Sequence, residues 1–181
     1  MLPDYSRYYG SALIHIVDQY GKPISITKLQ VGYQGFYLIN DRAPIYIKFS
    51  RSRKGPWGFN FHRDHQLQYR LLVEKYKDCI TALICGNDGI VALTDFQVRQ
   101  ILDDDVEKQE SVSVRRKLNH MYSVKGSNGE LSQKVSRDSL MSNLATLLED
   151  DELIAEYGNE QPADSWSYTT SLTNPFLNRK T

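Results

Sequence analysis

The stretch from Gly35 to Ser50, GFYLINDRAPIYIKFS, decides the fold that we expect for this chain of 181 residues. It contains two β-rich runs, GFYLIN at 35–40 and PIYIKFS at 44–50, which are joined by a short connection. A short connection between two such runs is consistent with an antiparallel hairpin. The stretch therefore predicts two neighbouring strands of one sheet.

The segment before this hairpin predicts two more strands. Residues 11–19 alternate well enough for a strand, residues 20–23 have the composition of a turn, and residues 24–31 form a second β-rich run. After the hairpin, residues 51–63 have two glycines around Pro56-Trp57. That composition excludes a regular helix and predicts a glycine-rich loop.

A helix and a buried strand follow the loop. Residues 65–76 have apolar side chains at helical spacing, and Asp64 is placed to cap the helix. Residues 79–85 are a near-continuous apolar run, typical of a central strand. The turn sequence Gly-Asn-Asp-Gly at 86–89 leads into a partner strand at 90–93.

The remaining segments predict further helices and strands. Thr94 and Gln97 fit a capping box that opens a short helix. Residues 111–114 and 120–125 have the pattern of strands, and residues 139–157 have leucines at amphipathic helical spacing. The predicted fold class is α+β, a mixed α/β arrangement. We expect one central, mostly antiparallel sheet, two or three flanking helices and an acidic C-terminal tail.

Composition divides the chain into three parts. Residues 1–131 read as a compact α/β domain, residues 132–157 as a linker with one amphipathic helix, and residues 158–181 as a disordered tail. The last 50 residues have few aromatic residues and many Ser, Asn, Asp and Glu. Such a composition buries too little apolar surface to offset the entropy of ordering the chain.

Cysteine spacing and the absence of a targeting segment suggest a cytoplasmic protein. Cys79 and Cys85 lie in one strand-like run, about 20 Å apart at 3.3 Å per residue, which is too far for a disulfide. We expect both thiols to be reduced and buried. No apolar run approaches a signal peptide or a membrane span, so no membrane partner is expected.

Charges are segregated into blocks although the net charge is zero. Residues 42–77 contain nine basic and two acidic side chains, and residues 111–137 contain six and one. The segments 78–110 and 138–181 each contain two basic and eight acidic side chains. Either the two basic blocks share a face that binds a polyanion, or the blocks neutralise one another within the protein.

Each basic block also contains aromatic residues, a combination found in proteins that bind nucleic acid. Basic groups follow phosphates and aromatic rings stack on bases. The candidate contact residues are Arg51, Arg53, Lys54, Trp57, His62 and Arg63 in the first block, and Arg115, Arg116, Lys117 and Lys125 in the second. The alternative for the aromatic residues is that alternating Trp57, Phe59 and Phe61 form a buried strand edge.

The hairpin also resembles the paired motif of GIY-YIG nucleases. Gly35-Phe36-Tyr37 corresponds to the first half and Tyr46-Ile47-Lys48 to the second, with Lys48 where that family has glycine. The resemblance implies that Tyr37 and Tyr46 lie on adjacent strands at an active site. In that family, an arginine on the following helix and a later glutamate that holds a divalent metal complete the site.

A second resemblance, to restriction-endonuclease-like PD-(D/E)XK domains, concerns topology. Those domains place an acid on one strand and an acid-x-Lys sequence on the next, followed by a helix and a buried strand. Here Asp41 precedes the strand that contains Lys48, but the position two residues before Lys48 is Tyr46. Without the second carboxylate, a Mg²⁺ site of the usual kind is not assembled, and such a domain would bind rather than cut.

These observations predict a nucleic-acid-associated, nuclease-like domain, an accessory subunit of a larger complex. Any catalysis would be metal-dependent phosphodiester hydrolysis centred on Tyr37, Tyr46 and Lys48, with Mg²⁺ as cofactor only in that case. No metal site is expected at His62 and His65, because no second ligand pair is spaced to match. The alternative function is a non-catalytic protein–protein interaction module that uses the charged blocks and the acidic tail.

Overall fold

The computed structural model describes residues 2–150 and residue 157, and it confirms the α+β class. Its helices are α1 (Asp4–Tyr20), α2 (Arg63–Tyr76), α3 (Asp95–Ile101) and α4 (Ser139–Leu148). Its strands are β1 (Ile26–Lys28), β2 (Phe36–Ile39), β3 (Ala43–Ser50), β4 (Trp57–Phe61), β5 (Ile80–Cys85), β6 (Gly89–Leu93), β7 (Glu110–Arg115) and β8 (Ser123–Gly126).

The strands form two sheets rather than the single sheet expected. The larger sheet has the order β1-β2-β3-β5-β6, and only its β3–β5 pairing is parallel. The smaller sheet has the order β4-β7-β8 and is antiparallel throughout. The predicted hairpin is present as β2 and β3, with Phe36 opposite Tyr46. Helix α2 lies between the parallel strands β3 and β5, because parallel neighbours need a long crossover connection.

The strand predicted over residues 11–19 is wrong, because this segment belongs to α1. The buried side chains of α1, Ala12, Ile16 and Tyr20, are spaced by four residues and lie on one helical face. Ile14, which an alternating strand would bury, is 61% exposed. The apolar residues of this segment fit both periods, and packing against the larger sheet selects the helical one.

The glycine-rich loop predicted for residues 51–63 contains strand β4, so the alternative interpretation of its aromatic residues holds. Trp57, Phe59 and Phe61 are 3–4% exposed and alternate with exposed residues. Trp57 Nε1 donates a hydrogen bond to the Ser52 carbonyl oxygen, 3.0 Å away. The Trp57 ring lies in the core and is not available to stack on a base, which removes it from the candidate contact residues.

Helix boundaries follow local signals only in part. The capping box at α3 is confirmed, since Thr94 Oγ1 accepts from the Gln97 amide and Gln97 Oε1 accepts from the Thr94 amide. The cap predicted at Asp64 is wrong. Helix α2 begins at Arg63 after His62, and Asp64 lies in the first turn, where its charge favours the positive end of the helix dipole.

Two apolar cores lie on the two faces of the larger sheet. One is shared with α2, α3 and the smaller sheet, and it contains both Cys79 and Cys85, which are free and buried as expected. The other lies under α1 and α4. Because α4 contributes Leu140, Met141 and Leu144, this core extends beyond residue 131.

The end of the chain is described only as far as residue 150, together with residue 157. Helix α4 ends at Leu148, so the predicted continuation to residue 157 lies mostly outside the described residues, as does the predicted acidic tail 158–181. Within the described part, no helix combines the length and apolar character that a membrane crossing requires.

Candidate functional site

A cleft opens beside β3 at the point where β2 leaves it. β2 pairs with β3 only over residues 43–46, and the Ile47 amide then donates to the Gly35 carbonyl oxygen at 2.7 Å. From Lys48 to Ser50, β5 is the only described strand that pairs with β3. The resulting cleft, the Lys48 cleft, has a volume of about 200 Å³. Its polar lining is formed by Tyr9, Gln34, Tyr46, Lys48, Asn60 and His65.

Three of these side chains form a hydrogen-bonded row. Tyr46 and Lys48 are two residues apart in β3 and therefore point to the same face of the sheet. Lys48 Nζ donates to Tyr46 Oη at 3.0 Å, and Tyr46 Oη lies 2.7 Å from His65 Nδ1. His65 is placed there by the first turns of α2, the helix that crosses this face between β3 and β5.

The Lys48 ammonium group is partly buried and has no carboxylate partner within 4 Å among the described residues. It lies 5.1 Å from the centre of the Tyr46 ring and 5.0 Å from that of Phe61, which are cation–π distances. Burial lowers the pKa of Lys48 to about 8. Burial and the neighbouring Lys48 charge also lower the pKa of His65, so the imidazole is held neutral.

The row is held rigidly by aromatic packing. Tyr46 is 1% exposed, and its ring stacks on Phe36 with centroids 4.2 Å apart and planes 3° from parallel. Burial raises the pKa of Tyr46 well above its ordinary value, so its hydroxyl stays protonated. The hydroxyl can therefore accept from Lys48 and donate to His65 simultaneously.

Tyr37 is not part of this site. Tyr37 is opposite Ile45 in the β2–β3 ladder, whereas Tyr46 is opposite Phe36, so the two tyrosines lie on opposite faces of the sheet. The Tyr37 ring contacts Tyr9 of α1, with centroids 6.4 Å apart. The arrangement implied by the GIY-YIG resemblance, with both tyrosines at one site, is not formed.

The smaller sheet continues the surface from the Lys48 cleft to the second basic block. Gly58 and Asn60 of β4 line the cleft, and Gly58 is opposite Ser113 of β7, which in turn is opposite Lys125 of β8. Side chains opposite one another point to the same face, so this outer face also contains Arg115, two residues after Ser113. One acid, Glu130, lies beside Lys125 in an isolated bridge.

The two basic stretches meet at one end of the smaller sheet. Trp57 at the start of β4 is opposite Val114, so the loop carrying Arg53 and Lys54 adjoins the segment that begins with Arg115. Arg53, Lys54, Arg115, Lys117 and Lys125 are exposed and form no ion pair with another described residue. Apart from Glu130 beside Lys125, the described residues leave the positive charge of these five side chains uncompensated.

The other candidate basic residues are placed differently. Arg51 pairs with Asp4 at 3.0 Å, and both side chains are well exposed. His62 and Arg63 follow Phe61, at the opposite end of β4 from the loop that carries Arg53 and Lys54. The two ends of β4 are about 13 Å apart along the strand. Arg63 pairs with Glu107 at 2.9 Å. His62 and Arg63 therefore do not extend the surface that contains Arg115 and Lys125.

Arg116 is a structural residue and is removed from the candidate contact set. Its side chain is 7% exposed, and its guanidinium group makes two hydrogen bonds to the Asp88 carboxylate, one of them from Nε at 2.7 Å. Tyr122 Oη donates to the same carboxylate at 2.6 Å. We call these three residues the Asp88 cluster. It ties the turn between β5 and β6 to the segment around β8.

The cleft does not fit the magnesium ion that the nuclease resemblances imply. Mg²⁺ prefers carboxylate oxygen ligands, and within residues 2–150 no Asp or Glu lines the cleft. Asp41 lies in the β2–β3 turn, about 20 Å from Lys48 along β3. Within residues 2–150, no three His, Cys, Asp or Glu side chains are grouped closely enough to hold a metal ion.

Sequence reasoning found Tyr46 and Lys48 but missed His65 as their partner, and it missed Gly58 and Asn60. A partial signal for His65 was available, since a helix that connects two parallel strands of one sheet lies on one of its faces, but the sequence specifies neither the parallel pairing nor the face. No comparable signal places Gly58 and Asn60 at the cleft, because their position depends on how the two sheets meet.

Comparisons with known proteins add no match to this geometry. No family model, no curated protein and no solved structure matches the chain. The function is therefore inferred from the site alone.

Proposed function

We propose that this protein binds nucleic acid, with one phosphate held in the Lys48 cleft and the backbone following the outer face of the smaller sheet. The observation that carries the proposal is the Lys48 ammonium group, which is partly buried in an open cleft and has no carboxylate partner among the residues that the structure describes. Burying a cation is unfavourable unless an anion compensates it. A phosphate oxygen would supply that compensation.

The surroundings of the cleft suit a polyanion rather than a single small anion. Arg115 and Lys125 lie on the same outer face as Gly58 and Asn60, and Arg53 and Lys54 adjoin its end. Several cations along one surface increase affinity by releasing counterions from a nucleic acid backbone. The proposed activity is binding, and it includes no metal-dependent cleavage. The alternative, a protein-binding module, relies on the acidic tail outside the described residues.

Fluorescence anisotropy with short labelled DNA and RNA oligonucleotides tests this proposal. We expect binding at low salt that weakens as salt rises, with a slope that reports the number of phosphates contacted. Lys48→Ala should weaken binding and make the logarithmic salt slope shallower by about 0.7–0.9. Undetectable binding at low salt, or affinity that does not change with salt, would show that the proposal is wrong.

Gly58 offers a matched pair of variants. A Cβ added at Gly58 meets no atom within 4 Å, so Gly58→Ala leaves the fold intact. Gly58→Glu introduces a carboxylate at the rim of the Lys48 cleft and should abolish oligonucleotide binding, whereas Gly58→Ala should retain it. Equal binding by both variants would place the nucleic acid elsewhere on the protein.

A further inference from the structure

The row of side chains in the Lys48 cleft connects an amine to a base. An ammonium group can only donate, so Tyr46 Oη accepts the hydrogen bond from Lys48 at 3.0 Å. The Tyr46 hydroxyl hydrogen then points to His65 Nδ1 at 2.7 Å. A proton that leaves Lys48 is taken up by Tyr46 while Tyr46 passes its own proton to His65. The geometry thus provides a route for deprotonating the amine inside the cleft.

The burial of Lys48 favours loss of its proton. With the pKa of Lys48 at about 8, roughly a tenth of the protein molecules have Lys48 as the free amine at pH 7. A carboxylate partner would stabilise the ammonium form, and none lines the cleft in the part of the chain that the structure describes. The titratable groups that line the cleft beside Lys48 are Tyr9, Tyr46 and His65. Desolvated lysines of this kind are the ones that attack carbonyl carbons.

We propose that Lys48 is a nucleophile that forms an imine with an aldehyde, the C1′ aldehyde of an abasic deoxyribose in DNA. This inference rests on the proposed function, since nucleic acid binding is what brings a sugar to the cleft. An intact nucleotide has no free aldehyde, but a deoxyribose that has lost its base opens to one. The cleft volume of about 200 Å³ has room for one such sugar.

The reaction balances without an oxidant or a metal. The reaction starts from the fraction of Lys48 that is already free amine, with His65 neutral. The lone pair of Lys48 Nζ bonds to C1′ and the carbonyl electron pair moves to oxygen. The proton released from nitrogen passes through Tyr46 to His65, while oxygen takes a proton from solvent. His65 returns its proton to that hydroxyl group, which leaves as water when the carbon–nitrogen double bond forms.

The resulting iminium group makes the C2′ hydrogens acidic. Loss of one C2′ proton to water gives an enamine, and its electron pair breaks the C3′–oxygen bond and expels the 3′ phosphate. Addition of water to the iminium carbon then releases an unsaturated aldehyde and regenerates Lys48. The strand is thus broken by elimination rather than by hydrolysis.

Borohydride trapping on an abasic oligonucleotide tests this inference. Reduction converts the imine into a stable amine, so the full-length protein should form a covalent adduct with the abasic strand, located on Lys48 by peptide mass spectrometry. Lys48→Arg keeps the charge but should abolish the adduct. Lys75→Ala is the control, because Lys75 is an exposed lysine ten residues beyond His65 on α2, about 15 Å away. An adduct that persists in Lys48→Arg, or that the wild type does not form, overturns the inference.

Tyr46 is a positioning residue in this reaction, and its role has a separate readout. Tyr46→Phe breaks the connection between Lys48 and His65 and should slow adduct formation roughly tenfold to a hundredfold. It should also move the pH profile of adduct formation to higher pH, and because the Phe ring keeps the stacking on Phe36, that shift reports loss of the hydroxyl rather than of packing. An unchanged profile removes the relay from the mechanism.

Binding of the intact oligonucleotide separates this inference from the proposed function. Salt-dependent binding of the intact strand without an adduct on the abasic strand overturns the imine and leaves the binding proposal in place. An adduct without binding of the intact strand supports the reactive amine and overturns general nucleic acid binding. If neither the adduct nor binding of the intact strand is observed, the imine inference and the binding proposal are both overturned.

Discussion

The Lys48 cleft and the Asp88 cluster use similar side chains in opposite ways. Each places a cation beside a tyrosine hydroxyl, Lys48 beside Tyr46 and Arg116 beside Tyr122. In the Asp88 cluster a carboxylate accepts hydrogen bonds from both partners, and the Arg116 side chain is 7% exposed. In the Lys48 cleft, the tyrosine hydroxyl instead forms a hydrogen bond with the neutral imidazole of His65.

This difference decides which cation is available to a ligand. The charge of Arg116 is neutralised within the fold, so removing its partner affects stability. Among the described residues, the charge of Lys48 is compensated only by a hydroxyl and two aromatic rings, so it opposes folding and favours an incoming anion. Basic character in the sequence therefore does not distinguish a binding residue from a structural one. The position of the nearest carboxylate distinguishes the two kinds of residue.

The largest effect that we expect is on the Asp88 cluster. Asp88→Ala should lower the free energy of unfolding by about 2–3 kcal/mol, because it leaves the Arg116 guanidinium group without its counter-ion and Tyr122 without its acceptor. Urea denaturation measures the change. The double variant with Arg116→Met should be more stable than Asp88→Ala alone, and a less stable double variant would show that the pair is not the cause.

Acid should affect the same cluster. The hydrogen bonds from Arg116, followed by that from Tyr122, lower the pKa of Asp88 below its ordinary value. The stability that Asp88 contributes is therefore present above the ordinary aspartate range and is lost as the pH falls through the lowered pKa. The difference in stability between wild type and Asp88→Ala should shrink in acid. A stability difference that does not change with pH would show that the ionised Asp88 carboxylate is not its source.

A smaller effect of opposite sign is expected in the cleft. Lys48→Met should raise the free energy of unfolding at pH 7 by on the order of 1 kcal/mol, because it removes a desolvated charge. The pKa of Lys48 is about 8 in the folded chain. Between pH 8 and the ordinary lysine pKa, the unfolded chain therefore binds more protons than the folded chain. The wild type gains stability as the pH rises through this range. The advantage of Lys48→Met should therefore shrink above pH 8, as denaturation at a series of pH values would show.

An effect no larger than that of Lys48→Met concerns the hydroxyl that links Lys48 to His65. Tyr46→Phe keeps the stacking on Phe36 and removes one acceptor and one donor, which should lower the free energy of unfolding by about 1 kcal/mol. Denaturation at pH 7 checks this value. A loss as large as that of Asp88→Ala would mean that the two sites are equally structural, and the contrast between them would fail.

The sequence was a good guide wherever a local pattern had a single interpretation. The hairpin from Gly35 to Ser50, the apolar strand β5 and the capping box of α3 are all present as predicted. The sequence misled where a pattern fitted two periods. The spacing of apolar residues in 11–19 fits both a strand and a helix, and only burial against the sheet distinguishes the two structures.

The candidate site was predicted in the same partial way. Tyr46 and Lys48 were singled out through the motif resemblance, and their spacing of two residues on one strand places them on the same face. Tyr37 was misplaced because the motif resemblance did not take the register of the β2–β3 ladder into account, and that register puts Tyr37 on the opposite face. Trp57 and Arg116 were misassigned because their burial and the Asp88 partner arise from contacts distant in sequence.

The sequence by itself determined the α+β class, the central hairpin and the segregation of charge, because these depend on propensity, periodicity and composition along the chain. Only the tertiary structure decided which charges remain available. Pairing of β4 with β7 brings the two basic stretches together, and packing of α2 on β3 places His65 against Tyr46. The physical reason is that a side chain's charge state and accessibility depend on its neighbours in space, and a one-dimensional pattern does not specify those neighbours.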